Sequence, residues 1–362
     1  MARAGRIWLV AALVATGCTL ATEFWTMDDA TPVVSFGPPE GYPRSSFGAV
    51  ITTGVFASTD GPTTYVAVSA GIASPTESFR WATGAQLLSD SHISSVCSPL
   101  SADVDEADAA LGTCEGSGTG AALLWLSTFT FSSGPCEPTL LVGQPLTGET
   151  AQGRVAMNCP TTGDTVGILG VGSEHLGRSL ALVRRGVGEV LAVGLQGGVV
   201  LTVGPPAPGV GMTSVNVGAG LATEAFGGTL AAGLVVGGGL LAVGASTRAL
   251  TTPQPSRMFV VDPDTARAVY CEEEAGTTAL GSSLLASDLT GDGNGELLYV
   301  DGSGLVRLAD GAAIRGLMGG PTALTCSGTP LTAAYPSLVC PTSGDFGVQC
   351  SAAFGEIGRA HV

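Results

Sequence analysis

The sequence predicts an all-β protein whose strands assemble radially, as a β-propeller of four-stranded blades. Two compositional observations and one of order predict it. The 362 residues include 55 glycines and 21 prolines. Hydrophobic residues reach 45% while charged residues stay at 12%. Such a mixture describes many short apolar strands divided by tight turns. It argues against helices, because glycine loses more backbone entropy in a helix than other residues and serves best where φ is positive. The third observation is that one pattern of glycine followed by apolar runs recurs along the chain.

The recurrence starts at Phe47-Gly48, Gly120, Leu176-Gly177, Phe226-Gly227 and Leu280-Gly281, with a last Phe354-Gly355. After each of the first five comes an apolar strand, a turn and a second strand: TTYVAVSAG at 63–71, TLLVGQP at 139–145, EVLAVG at 189–194, GLLAVGAS at 239–246 and ELLYVDG at 296–302. A third strand follows each time: FRWATG at 79–84, GRVAMNC at 153–159, GGVVLTVG at 197–204, RMFVVDPDTA at 257–266 and GLVRLADG at 304–311. A four-stranded blade cannot bury both faces alone, whereas blades stacked about an axis hide them. The other arrangement compatible with these turns is a β-sandwich.

These segments resemble the FG-GAP family, the repeat of integrin α-chain propellers and of many bacterial surface proteins. The family is named for a Phe-Gly start and a Gly-Ala-Pro-like end. VGQP at 142–145 and VGAS at 243–246 stand where that end belongs, and the likeness covers residues 44–355. The resemblance implies about five blades and the start of a sixth at AAFGE, by analogy with EAFGGTL at 224–230. Residues 356–362, EIGRAHV, resemble the translation of a sequencing-adapter read-through. They read as a non-native tail on a truncated propeller, with a genuine terminus as the other reading, and His361 is set aside with them. The uncharged stretch at 229–245, TLAAGLVVGGGLLAVGA, reads as a hairpin of two buried strands turning at Gly237-Gly238-Gly239, not as a membrane helix.

The N-terminus reads as a secretory signal over residues 1–17. Met1 to Arg6 is short and basic, and Ile7 to Ala15 is apolar but falls short of the about 20 residues a bilayer span needs. Ala15-Thr16-Gly17-Cys18 resembles a bacterial lipobox, which makes Cys18 the lipidated first residue of the mature chain and 18–43 a lipid-anchored linker. Acyl chains anchor by about 0.8 kcal/mol per buried methylene. Thr19, in place of the aspartate of some inner-membrane lipoproteins, favours the outer membrane or cell surface. The alternative is an ordinary cleaved signal with Cys18 incidental.

The remaining cysteines are Cys97, Cys114, Cys136, Cys159, Cys271, Cys326, Cys340 and Cys350. An even number in an exported chain implies disulfides. Local pairs are favoured: Cys97 with Cys114, Cys136 with Cys159, Cys340 with Cys350. No C-x-x-C spacing occurs, which argues against structural zinc.

The sharpest chemical motif is DLTGDGNGE at 288–296. Asp288, Thr290, Asp292 and Glu296 offer alternating oxygens, the Asn294 carbonyl adds another, and Gly293 permits the tight turn. Calcium takes six to eight oxygen ligands, and a loop of alternating ligands wraps one ion in that way. An EF-hand would need a glutamate where Tyr299 stands, and helical flanks; these flanks read as strands. The motif is similar to the FG-GAP calcium loop between the first two strands of a blade. A metal-free turn of Asx and glycine is the alternative. In the first repeat GVFASTDG at 54–61 keeps only Asp60, and the third and fourth retain almost none of the carboxylates, so calcium would staple one blade.

The net charge of -16, with arginine but no lysine, opposes nucleic-acid binding. No G-x-S-x-G, no H-E-x-x-H and no P-loop lysine is present. His92 and His175 read as turn residues. The acidic run Asp103, Asp105, Glu106, Asp108 reads as a solvated loop, with a second cation site or a partner-facing patch as alternatives. The expectation is a non-enzymatic, lipid-anchored scaffold that binds a protein or glycan. The alternatives are a propeller enzyme of polysaccharide-lyase or phosphohydrolase type, and a purely structural envelope lipoprotein.

Overall fold

The structure, a computed structural model, describes residues 50–58, 61–69, 79–83, 94–96, 121–146, 152–162, 164–169, 174–185, 188–202, 211–218, 220–221, 223–234, 239–246, 254–274, 279–288, 292–301, 306–318, 324–327 and 331. The signal segment, Cys18, the linker, His92, the acidic run at 103–108, Thr290, the sixth repeat start and the tail lie outside the described residues. So do Cys97, Cys114, Cys340 and Cys350.

The described chain is almost entirely antiparallel sheet. The first sheet is a meander of β1 (Ile51–Ser58), β2 (Gly61–Ser69), β3 (Phe79–Thr83) and β4 (Ser94–Val96). The second begins with β5 (Ala122–Leu126), detours through a small hairpin of β6 (Phe129–Phe131) and β7 (Gly134–Cys136), and continues with β8 (Thr139–Gln144), β9 (Arg154–Asn158) and β10 (Thr165–Leu169). The third holds β11 (Ser179–Arg185), β12 (Gly188–Leu195), β13 (Gly198–Thr202) and β14 (Met212–Ser214). The fourth holds β15 (Thr229–Ala232), β16 (Leu241–Ala245), β17 (Ser256–Asp262) and β18 (Arg267–Glu274). The fifth has three strands, β19 (Leu284–Ser287), β20 (Glu296–Val300) and β21 (Val306–Ala309), and runs into a short helix α1 (Gly311–Arg315). None of these sheets closes on itself.

In the second, third and fourth sheets the second strands are apolar at consecutive positions because both faces of their sheets are covered. Along β8, Leu140 and Val142 pack with Ala67 of the first sheet, while Leu141 packs with Leu191 and Val193 of the third. Along β12 those two residues face back toward the second sheet, while Val190 and Ala192 face Leu241, Val243 and Phe259 of the fourth. Ala242 on β16 turns instead toward Leu284, Leu297 and Tyr299 of the fifth. Successive side chains on a strand point to opposite faces, so a continuous apolar run marks a strand buried on both sides. The five sheets therefore stack in series with a hydrophobic layer between each and the next, and not as the two layers of a sandwich. Their first strands follow the same order: β1 lies beside β5, β5 beside β11, β11 beside β15, and β15 beside β19.

The recurring apolar-glycine pair makes the joint. Leu176, Phe226 and Leu280 are each buried in the layer between their own sheet and the preceding one. Phe226 meets Phe259 edge-on, with ring centroids 5.0 Å apart. The glycine that follows has positive φ, 97° at Gly177, 85° at Gly227 and 71° at Gly281, a region that glycine enters without penalty. Its N–H binds the second strand of its own sheet, Gly177 to the Gly194 carbonyl at 3.0 Å and Gly227 to that of Gly244 at 3.2 Å. Its own carbonyl presses on the second strand of the previous sheet. An ideal Cβ would come within 2.0 Å of it at Gly143, 2.1 Å at Gly194 and 2.0 Å at Gly244. Hydroxyls on the first strands complete the joint: Ser179 donates to the Gly227 carbonyl at 2.7 Å, and Thr229 to that of Gly281 at 2.6 Å.

Two further expectations meet the coordinates. The stretch at 229–245 contains the paired strands β15 and β16, and no helix among the described residues is long and apolar enough to cross a membrane. Cys136 is bonded to Cys159, tying the end of the β6–β7 hairpin to the end of β9, and Cys271 is bonded to Cys326.

Candidate metal centre

Asp288 follows β19 and Glu296 opens β20, so the acidic motif is the connection between the first two strands of the fifth sheet. Asp288, Asp292 and Glu296 each bring a carboxylate oxygen within 4.8 Å of the other two. The two aspartates are exposed, whereas Glu296 is only 2% exposed. The turn is set by Asp288, whose carboxylate accepts the backbone N–H of Asp292 at 3.2 Å and of Gly293 at 3.0 Å. Asp292 in turn accepts the N–H of Asn294 at 2.8 Å. Gly293 has φ 86°, the left-handed conformation foreseen for it. Side-chain oxygens bonding backbone N–H groups a few residues on are the ordinary chemistry of Asx turns, so the loop has a framework of its own.

Neighbouring elements hold this loop on both sides. Gly295 donates to the Leu234 carbonyl at 3.0 Å, and a Cβ on it would fall 2.1 Å from the Gly233 carbonyl. The loop is thereby pressed against the corresponding connection of the fourth sheet. On the other side Arg315 of α1 donates to Asn294 Oδ1 at 3.2 Å. Asp310 caps that helix through the Ala312 N–H at 2.7 Å, and Gly311 has room for no side chain against Asn294. The donors are all hard oxygens and three of them are carboxylates. That set fits a hard divalent ion such as calcium and suits neither zinc nor copper, which favour nitrogen and sulfur. Thr290 lies outside the described residues, and the Asn294 side chain is engaged with Arg315. Among the described residues this is the one cluster of three or more His, Cys, Asp or Glu side chains placed to hold a metal.

A second acidic centre was not legible in the sequence. Glu272 on β18 is 3% exposed, and its Oε2 accepts from Tyr299 at 3.2 Å, Tyr270 at 3.3 Å and the Leu331 N–H at 3.1 Å. Burial pushes the Glu272 carboxyl above its ordinary range, outweighing those hydrogen bonds. The two phenols are pushed up as well, first by burial and then by the adjacent Glu272 charge. Asp301, at 1% exposure, pairs with Arg307 at 2.7 Å beside this centre. The RAVYCEEE stretch gave only a weak hint: its alternation sets Tyr270 and Glu272 on one face and Cys271 on the other. His175, just before Leu176-Gly177, is half-buried with φ 53°.

No protein-family model matches the chain, and no curated protein does.

Proposed function

We propose that the five sheets are blades of an FG-GAP-like β-propeller, lipid-anchored through Cys18 at the outer membrane or cell surface, that binds a protein or glycan and catalyses no reaction. The observation that carries this reading is the joint repeated at Gly177, Gly227 and Gly281, each seated on a second-strand residue of the preceding sheet. A joint made in the same way at three successive interfaces turns those sheets by a similar increment, and first strands adjacent in order are what a central axis requires. The first-to-second-strand connections, including the β6–β7 hairpin and the acidic loop, then share one end of the blades and form a display surface. Calcium at Asp288, Asp292 and Glu296 would neutralise three convergent carboxylates and fasten the fifth blade. The test is a glycan array and cross-linking on intact envelopes, each with calcium and with chelator. Saturable binding without turnover is expected; hydrolysis or elimination on a polysaccharide or phosphoester would replace this reading with an enzymatic one.

A further inference from the structure

The outer edge of β18 is occupied by a later part of the same chain. Ser327 donates to the Cys271 carbonyl at 2.8 Å and accepts from the Glu273 N–H at 3.0 Å, filling the hydrogen-bonding groups an edge strand would otherwise present. Leu331 reaches over Glu272 with its N–H. Leu324 and Cys326 rest on the core between the third and fourth sheets, and Leu331 on the core between the fourth and fifth. Two backbone hydrogen bonds, the Leu331 N–H on the Glu272 carboxylate and these partly buried side chains are the noncovalent attachments, and the Cys271–Cys326 bond is the covalent one.

We propose that Leu324–Ser327 with Leu331 forms a strap over the β18 edge whose closure is set by the redox state of the Cys271–Cys326 pair, with a dithiol as reductant. The reaction is ordinary exchange. A thiolate of the dithiol attacks Cys326 Sγ, the Cys271–Cys326 bond breaks, and Cys271 leaves as thiolate. The second thiol then resolves the mixed disulfide, so the dithiol is oxidised to its disulfide while both cysteines gain one electron and one proton each. Between the two disulfides among the described residues, accessibility selects this bond. Cys326 is half-buried, whereas Cys271 is 1% exposed and Cys136 and Cys159 are 3% and 2% exposed. What lies beneath the strap favours opening once the bond is cut. Glu272 is a carboxylate held out of water, and hydration of its charge is regained when Leu331 lifts away. None of this depends on a central axis or on calcium.

Hydrogen exchange read by mass spectrometry on the full chain tests the strap, during a dithiothreitol titration and in the Cys271→Ser/Cys326→Ser variant. Expected is about tenfold or faster exchange at Glu273, Ser327 and Leu331 with β16 and β17 unchanged, the mark of a local opening. Alkylation should reach Cys326 before Cys136 or Cys159. Unchanged protection of the strap, simultaneous loss of protection in β16 and β17, or prior reduction of Cys136–Cys159 would each overturn the proposal.

Discussion

The carbonyl oxygen of Gly281 sits where a side chain on Gly244 would have to begin, 2.0 Å from the ideal Cβ position. The fifth sheet approaches the fourth that closely because neither residue carries a side chain there. The same contact joins Gly227 to Gly194, and Gly177 to Gly143.

Replacing Gly244 with alanine should therefore separate two sheets. An added methyl would meet the Thr229 hydroxyl and a backbone carbonyl, and the carbonyl cannot swing away. A loss of about 2–4 kcal/mol is expected from overpacking and a broken hydroxyl bond. Gly211→Ala, with nothing within 4 Å, should change stability by no more than about 0.5 kcal/mol. Urea unfolding of both variants checks the contrast.

The Cys136–Cys159 bond closes a separation of 23 residues and anchors the β6–β7 hairpin. Changing both to alanine should cost about 2–4 kcal/mol, mainly by freeing the unfolded chain. The guanidinium midpoint should fall while the far-ultraviolet circular dichroism of the folded state persists.

Glu272 sets a pH dependence. Its folded-state pKa lies above the ordinary 4.5, so the folded chain binds that proton more tightly than the unfolded chain does. The resulting stabilisation is complete below the unfolded value and is lost as pH rises through the folded one. Glu272→Gln keeps an oxygen acceptor for Tyr270, Tyr299 and Leu331 and removes the charge. Relative to this variant, the native chain should lose stability as pH rises above 4.5, and urea midpoints across that range measure it. Parallel curves would show that the carboxylate contributes no linkage. Tyr270 and Tyr299, raised above 10.0, should stay un-ionised in an ultraviolet titration until the chain unfolds.

Calcium at the acidic loop should raise the melting temperature and its removal lower it. At about 100 times Kd the stabilisation is about 2.7 kcal/mol. Asp292→Ala should abolish the difference between calcium and chelator. Identical melting curves for the native chain in both conditions would leave the loop as a metal-free Asx turn.

The second and third strands of the second, third and fourth sheets were legible because burial on both faces makes them long apolar runs, such as TLLVG before Gln144. The fourth strands were not. Met212–Ser214 has two exposed residues of three, and short edge strands carry no such signal. The β6–β7 hairpin is a local excursion in one repeat, so periodicity said nothing of it. The importance of the Phe-Gly glycines could be read, but their partners could not: Gly143, Gly194 and Gly244 look like ordinary strand glycines until the next sheet is in place. The fifth repeat also misleads. Aligning ELLYVDG with EVLAVG puts Asp301 at the glycine position, yet Gly281 donates to the Val300 carbonyl at 2.9 Å. Val300 is thus the structural counterpart of Gly194 in this hydrogen bond. Within the acidic loop the two aspartates and Glu296 converge as their spacing implied, because alternate positions of a tight turn point inward. Glu272 was missed because a glutamate in a polar stretch reads as surface; only the fold buries it.

The account stands most directly on the joints between sheets, and a crystal structure of the full chain measures them. It predicts the Ser179 hydroxyl on the Gly227 carbonyl, the Thr229 hydroxyl on the Gly281 carbonyl, and β1, β5, β11, β15 and β19 arranged in that order about one axis. Two sheets packed face to face as a pair of layers, with Gly194 and Gly227 far apart, would contradict it.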